Sequence, residues 1–274
     1  VMVSIENPAL LPVSVIEVMP PPGQMPNMKK MIKEGVPAEP LKLTFRNSFI
    51  RGHADLVFVR QTDPAEISLS HCVVAVGGSL IHVSGMAGPP PDRRNRVELE
   101  LVHVSTLLGE NLVQINGGAE RRNVPQVHVS SRDSIFSPGA DGPLVAMRGD
   151  VDLEDQRRLL SWRNAGKNFY DEYRVFWWIG SDQATLDFSG WLQQWPPGGS
   201  QNQRVLWLKE RAVGEPIRYD RLVLDDFRLD PASPPETRPV SNDGTVAGAD
   251  LSQLPSVPGR VIPASSQDVS PAKR

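Results

Sequence analysis

Leu43-Thr44-Phe45-Arg46-Asn47-Ser48-Phe49-Ile50 is followed, after Gly52-His53-Ala54-Asp55, by Leu56-Val57-Phe58-Val59. Ile67-Ser68-Leu69-Ser70-His71-Cys72-Val73-Val74 is then followed, after Gly77-Gly78-Ser79, by Leu80-Ile81-His82-Val83. Each unit reads as a strand, a tight turn and a second short strand. Apolar residues alternate into a polar residue in the same phase at Leu43, Phe45, Asn47; at Ile67, Leu69, His71; at Leu99, Leu101, His103; and more weakly at Val129, Ser131, Asp133. Leu56, Leu80 and Leu112 each follow that polar residue by nine positions, and Leu144 follows it by eleven.

Successive polar positions lie 24, 32 and 30 residues apart, and the extra length falls in one place, the loop Met86–Arg96. A period of this size with insertions at a fixed phase marks a solenoid, in which each unit buries its apolar edge only by stacking on a neighbour. Leu159–Asn164 with Tyr173–Trp178 reads as a degraded fifth unit. A β-sandwich also accommodates short strands with frequent turns, but it gives no reason for the polar phase to recur. The expected fold is therefore all-β: a right-handed parallel β-helix, a pectate-lyase-like solenoid, of about five rungs. Asn47, His71, His103 and Asp133 are expected to stack in one column.

Around this core, residues 1–41 read as a lead-in strand (Val13–Val18) and a Pro-rich loop containing Pro20-Pro21-Pro22 and Lys29-Lys30-Met31-Ile32-Lys33. Residues 42–230 form the β-helix domain. Within it, Asp150–Leu160 has the charge order of a short amphipathic helix, and Leu222–Leu224 suggests one more strand. Residues 231–274, rich in Pro and Ser and lacking apolar periodicity, are expected to be a disordered tail.

The formal net charge is −3 and the pI about 6.0, so no global field favours nucleic acid. No run approaches the ~18 apolar residues needed for a membrane-spanning helix. The single cysteine, Cys72, excludes an intrachain disulfide framework and reads as an inert core thiol. No basic region followed by an apolar one begins the sequence, so no signal peptide is legible; a chain starting at Val1 is expected to be part of a longer protein.

Four sets of residues carry candidate chemistry. His71 and His103, as rung neighbours about 4.8 Å apart, would form a metal pair with Asp133, although a structural polar stack is the plainer reading; no cofactor or metal is expected. Parallel β-helices can carry clustered acids for polysaccharide cleavage, and Asp55, Asp63, Glu66, Glu98, Glu100, Asp133 and Asp150 are the acids to consider. Arg96, Glu98 and Glu100 share a phase on one strand and are ligand-binding candidates for a uronate. Gly77-Gly78-Ser79 resembles a nucleophile elbow only loosely and reads as a turn. All six tryptophans lie between Trp162 and Trp207, as expected of an aromatic C-terminal cap, with Trp191 and Trp195 as candidates for stacking on sugar rings.

Asn47–Val57, Cys72–Leu80, Leu112–Ile115, Ser161–Tyr170, Phe227–Pro231 and Gly248–Pro255 together resemble the β-helix-like region of uncharacterised planctomycete proteins, often C-terminal to a serine/threonine kinase domain and a membrane span. The resemblance covers about residues 43–255. It implies an extracytoplasmic or cell-surface location and the sensor region of a larger kinase-type protein. No kinase phosphate loop, catalytic-loop motif or Asp-Phe-Gly occurs in the chain itself. The expected function is a non-catalytic recognition or structural module for a polysaccharide or cell-surface protein, possessing glycan-binding capacity; the alternative is a pectate-lyase-like carbohydrate-active enzyme.

Overall fold

The computed structural model describes residues 2–6, 11–12, 16–18, 40–60, 64–85, 96–117, 124–149, 157–180, 184–196, 198–209 and 215–255. The chain is an all-β solenoid built from three parallel sheets. Sheet A has the order β1 (Met2–Glu6), β4 (Leu41–Arg46), β7 (Ala65–Ser70), β10 (Arg96–Val102), β13 (Gln126–Arg132), β16 (Leu160–Asn164). Sheet B runs β2 (Leu11–Pro12), β5 (Phe49–Gly52), β8 (Val73–Val76), β11 (Ser105–Leu108), β14 (Ile135–Pro138), β17 (Phe169–Tyr170), β20 (Gln201–Asn202). Sheet C runs β3 (Ile16–Val18), β6 (Val57–Val59), β9 (Ile81–Ser84), β12 (Val113–Asn116), β15 (Val145–Arg148), β18 (Trp177–Ile179), β19 (Ala184–Leu186), and only the last pair is antiparallel.

Each repeat thus contains three strands where the sequence suggested two. The segment Leu43–Ile50 is divided at Asn47, and its equivalents are divided at His71, His103 and Asp133. These four residues have φ of 46°, 52°, 51° and 53°. One left-handed residue turns the chain from sheet A into sheet B, and Asn, Asp and His are the side-chain-bearing residues that enter this region most readily. The expected polar column is therefore the A–B corner.

The next position along the chain lines the inside of that corner. Ser48 Oγ donates to the Arg46 carbonyl at 2.7 Å and Ser134 Oγ to the Arg132 carbonyl at 2.8 Å. Ser134 Oγ in turn accepts from Val104 N, while Asn168 Oδ1 accepts from Ser134 N. Cys72 occupies this same column, and burial pushes its thiol up to about 11, which leaves it the inert thiol the sequence suggested.

Inside the coil, register partners stack by type. Leu43, Ile67, Leu99, Val129 and Trp162 succeed one another in sheet A, and Val57, Ile81, Val113, Val145 and Trp177 in sheet C. All ten are buried, and alternate residues of β4, β7, β10, β13 and β16 point outward and, Val102 apart, are polar. Strands β1–β3 pair in parallel with β4–β6, so among the described residues three strands, rather than one lead-in strand, precede Leu41. The Pro-rich loop and its lysines lie outside the described residues, as does the acidic start of the helix expected at Asp150–Leu160.

Sheet B is apolar on both faces. Ile50, Val74, Phe136 and Tyr170 enter the coil, whereas Phe49, Val73, Leu107, Ile135 and Phe169 face the other way into a second cluster with Val205, Trp207, Tyr219, Phe227, Ala247 and Leu254. Residues 231–255 are thus docked onto the solenoid, which corrects the expected disordered tail over that range; 256–274 lie outside the described residues. Gly248, at φ 82°, donates its N–H to the Asp133 carbonyl at 2.8 Å, and Ala249 N donates to Ser105 Oγ at 3.0 Å. A Cβ on Gly248 would stand 2.4 Å from Ser105 Oγ, so glycine permits the close approach. Asp171 joins the two layers, accepting from Val205 N at 2.8 Å, Trp207 Nε1 at 3.1 Å and Ser137 Oγ at 2.8 Å. The expected strand Leu222–Leu224 is instead the entry to a 3-10 helix, Leu224–Phe227, whose Asp226 carboxylate accepts from Val223 N at 2.7 Å.

The corner geometry makes a direct prediction. Asn47→Ile forces a β-branched side chain into the left-handed region and is expected to lower stability by about 1–3 kcal/mol in urea unfolding. Asn47→Gly is expected to stay within about 1 kcal/mol of the parent. Equal losses from both substitutions would show that the side chain of Asn47, and not its backbone, sets the corner.

Candidate functional site

Three surfaces can be assessed for chemistry: the outer face of sheet A, the B–C corner around Asp55, and a groove at the A–B corner beneath the C-terminal segment.

On sheet A, strand alternation places Arg96, Glu98 and Glu100 outward, with Val97, Leu99 and Leu101 buried between them. Arg96 Nε forms an ion pair with Glu98 Oε1. The register sets Glu98 between Glu66 and His128, and Glu100 between Ser68 and Ser130. Glu66 is paired with Lys42 at 2.7 Å. Glu66 and Glu98, about 4.8 Å apart by strand spacing, are thus each neutralised by their own cation. A general acid needs a carboxyl kept protonated by burial or by a second charge, and here solvated ion pairs hold both groups. The face carries Ser and Thr between its charges: Thr44, Ser68 and Ser130 lie in one register row with Glu100, and Ser70 and Ser161 also point outward.

At the B–C corner, Asp55 Oδ1 accepts from Ser79 N at 2.7 Å and Asp55 Oδ2 faces His82 Nδ1 at 3.1 Å. Burial works to raise the Asp55 pKa, but the hydrogen bonds from His82 and Ser79 hold it below the usual carboxylate range. The other nitrogen of His82 lies 3.2 Å from the Gln114 carboxamide, where a triad would require a hydroxyl or thiol. Ser79 is fully buried. A Cβ on Gly78 would meet Asp55 Oδ1 at 2.4 Å, so the Gly77-Gly78-Ser79 sequence exists to admit the Asp55 carboxylate of the preceding turn. The Asp–His pair is a structural clasp.

Trp162, Trp177, Trp191 and Trp195 gather around helix α1 (Phe188–Gln194), which Asp187 caps by accepting from Gly190 N at 2.8 Å; Trp207 lies in the cluster outside sheet B. Trp191 is fully buried. Its ring meets Trp162 at 4.9 Å, Phe176 at 5.7 Å, Trp177 at 6.2 Å and Trp195 at 4.4 Å between centroids. The proposed role of Trp191 in ligand binding is corrected accordingly: no face of the ring is left for a sugar. Trp195 is half-buried and stacks on Trp177 at 5.0 Å and 17°, which occupies one of its faces.

The groove is a cavity of about 650 Å³. His71 and His103 form one wall, stacked with ring centroids 5.0 Å apart and planes 7° from parallel. The C-terminal segment supplies Asp243 and Asp250, and Ile135, Phe227, Leu229 and Leu251 make apolar parts of the lining. His103 Nε2 and Asp243 Oδ2 stand 3.8 Å apart, beyond direct hydrogen-bond length. Burial, reinforced by the neighbouring His103 and by Arg132 and opposed by Asp250, lowers the His71 pKa. The buried Nδ1 of His71 has no hydrogen-bond partner, so protonation there would bury a donor without an acceptor. Asp133 does not join the histidines: its carboxylate accepts from Asn242 N at 3.2 Å. No metal-holding group of three or more His, Cys, Asp or Glu occurs among the described residues. Asp63 and Asp150 lie outside them.

The sequence thus identified the histidine stack and the Arg96–Glu100 face, and missed the wall supplied by Asp243 and Asp250. Comparison of the chain with protein-family models, curated proteins and solved structures found no match. No helix among the described residues is long and apolar enough to cross a membrane.

The packing of Trp191 sets its expected phenotype. Trp191→Ala should cost about 3–5 kcal/mol in denaturant unfolding by opening a cavity in the aromatic cluster. A variant of unchanged stability that loses glycan binding would restore Trp191 to the binding residues.

Proposed function

We propose that the chain is a non-catalytic recognition module that uses the outer face of sheet A to engage a polysaccharide or cell-surface protein. The observation that carries this reading is the contrast between sheet faces. The outer face of sheet B is apolar and covered by Val205, Trp207, Tyr219, Phe227, Ala247 and Leu254, whereas that of sheet A is polar, with Arg96, Glu98 and Glu100 exposed or half-exposed along one strand. Side-by-side hydroxyls and pre-paired charges suit hydrogen bonding to an extended, hydroxyl-rich polymer, and the ion pairs limit the cost of ordering those side chains. Glycan binding extends this reading on the hydroxyl-bearing face of sheet A; a place as the extracytoplasmic or cell-surface sensor region of a larger kinase-type protein rests on the planctomycete resemblance.

The finer fold reading belongs with it. A right-handed coil is supported by the strong chirality of parallel crossover connections. About five rungs are supported by the sets β4–β6 to β16–β18, each contributing a strand to every sheet. An aromatic cap is supported by Trp191 lying against the last parallel strands of sheets A and C, where an uncovered edge would invite further pairing.

Glu66 and Glu98 being neighbours keeps the polysaccharide-lyase or glycosidase alternative in view, and one experiment addresses both readings. The chain is screened on an array of acidic and neutral glycans, and hits are incubated with it and followed for depolymerisation. Retained binding without cleavage, weakened at least about tenfold by the Arg96→Ala, Glu98→Ala, Glu100→Ala variant, is the expected result. Cleavage abolished by Glu98→Ala, Glu100→Ala would overturn the non-catalytic reading, and binding indifferent to the triple substitution would move it off sheet A.

A further inference from the structure

We propose that the groove between the A–B corner and the C-terminal segment is a binding site for a primary ammonium group carried on an apolar chain, a ligand class independent of the sheet A surface. The charges that face the groove argue for it. Asp243 and Asp250 contribute two carboxylates, both held below the usual carboxylate range, chiefly by the Thr245 hydroxyl and the Ser252 hydroxyl respectively. The cation in the lining, Arg228, forms an ion pair with Asp225 at 3.1 Å. Burial favours the neutral form of His71, so that ring adds hydrogen-bonding nitrogens without adding charge. The groove therefore presents net negative charge above a partly apolar floor of Ile135, Leu229 and Leu251.

The spacing within the groove specifies the head group. Asp243 Oδ1 already accepts from Thr245 N at 2.9 Å and from Thr245 Oγ1 at 2.6 Å, which fixes the carboxylate and directs Oδ2 towards His103. The 3.8 Å between Asp243 Oδ2 and His103 Nε2 is too long for a direct bond and short enough for one donor atom to sit at roughly 2.8 Å from both. An ammonium nitrogen has three N–H groups, so it can satisfy both acceptors and retain a third donor, while its alkyl chain covers the apolar floor. A carboxylate or phosphate in the same position would face two anions.

The His71 imidazole gives the site a pH signature. Burial, with His103 and Arg132 beside it and Asp250 opposing, favours its neutral form, and its protonation places a cation on the wall among Asp243, Asp250 and Arg228. Ammonium binding is expected to weaken as His71 takes up its proton at lower pH.

The test titrates the full chain with n-butylamine at pH 7.5, following the ring resonances of His71 and His103 by NMR, with n-butanol and butyrate as matched neutral and anionic probes. Saturable shifts with butylamine alone, weakened at least about fivefold in Asp243→Asn and again at pH 5.5, support the site. N-acetyl-lysine amide distinguishes the source: tighter binding than butylamine places the ammonium on a peptide, and weaker binding on a free amine. Butanol shifting the same resonances as strongly as butylamine would overturn the proposal. So would butylamine binding unchanged in Asp243→Asn, provided the amide spectrum shows the variant folded.

Discussion

One left-handed residue in each of four successive coils carries the geometry of this protein. A parallel strand pair keeps every residue beside its equivalent in the next coil, so the bend recurs at one position from coil to coil. Asn47, His71, His103 and Asp133 make it with φ between 46° and 53°. In the coil that follows, Phe169 stands five residues after Asn164 where Ile135 stands four after Ser131, and the corner takes an extra residue instead. The side chains then follow: residues before the corner alternate into the coil from sheet A, and of the residues after it Ser48, Cys72 and Ser134 turn a hydroxyl or thiol back onto the corner backbone, while Val104 is buried in the core. The stacked imidazoles of His71 and His103 are a by-product of this constraint before they are anything chemical.

The second dependency is the sealing of sheet B. Its strands are short, parallel and apolar on both sides, the pattern of a sheet covered on both faces. The coil interior covers one face, and side chains from residues 205–209 and 215–254 cover the other. The Asp171 carboxylate, accepting from Val205 N, Trp207 Nε1 and Ser137 Oγ, joins the cover to the coil. This division leaves sheet A as the face with room for a partner. It also creates the groove where the cover meets the histidine corner, so both proposed surfaces arise from the same unequal treatment of the sheets.

Most of the coil was legible because alternation and phase are local properties of the sequence. Leu56, Leu80, Leu112 and Leu144 announce their strands by apolar runs after turns rich in Gly. The extra strand in each repeat was hidden because its corner uses Asn, His or Asp in place of Gly or Pro, and a β-run interrupted by one polar residue reads as continuous. The signal was nonetheless present, since those residue types share a tolerance for positive φ. The docking of residues 231–255 was harder to see. Ala247 and Leu254 are isolated apolar residues, and the contacts that fix the segment, such as Gly248 N to the Asp133 carbonyl, join positions far apart in the chain. The informative clue lay elsewhere, in Cys72–Val76: consecutive apolar residues in a strand demand cover on both faces. Trp191 was misassigned because aromatic clustering alone does not distinguish a ring that closes a core from one that receives a sugar.

The recurrent left-handed corner can be measured directly. Intraresidue amide-to-α-proton NOE intensities and backbone chemical shifts report the sign of φ at each position. Asn47, His71, His103 and Asp133 should all give the strong intraresidue NOE of a left-handed residue while their strand neighbours give the weak one of extended backbone. Extended geometry at these four positions would contradict the account, because the strands of sheets A and B would then be continuous and the corner, the histidine stack and the groove built upon it would not exist.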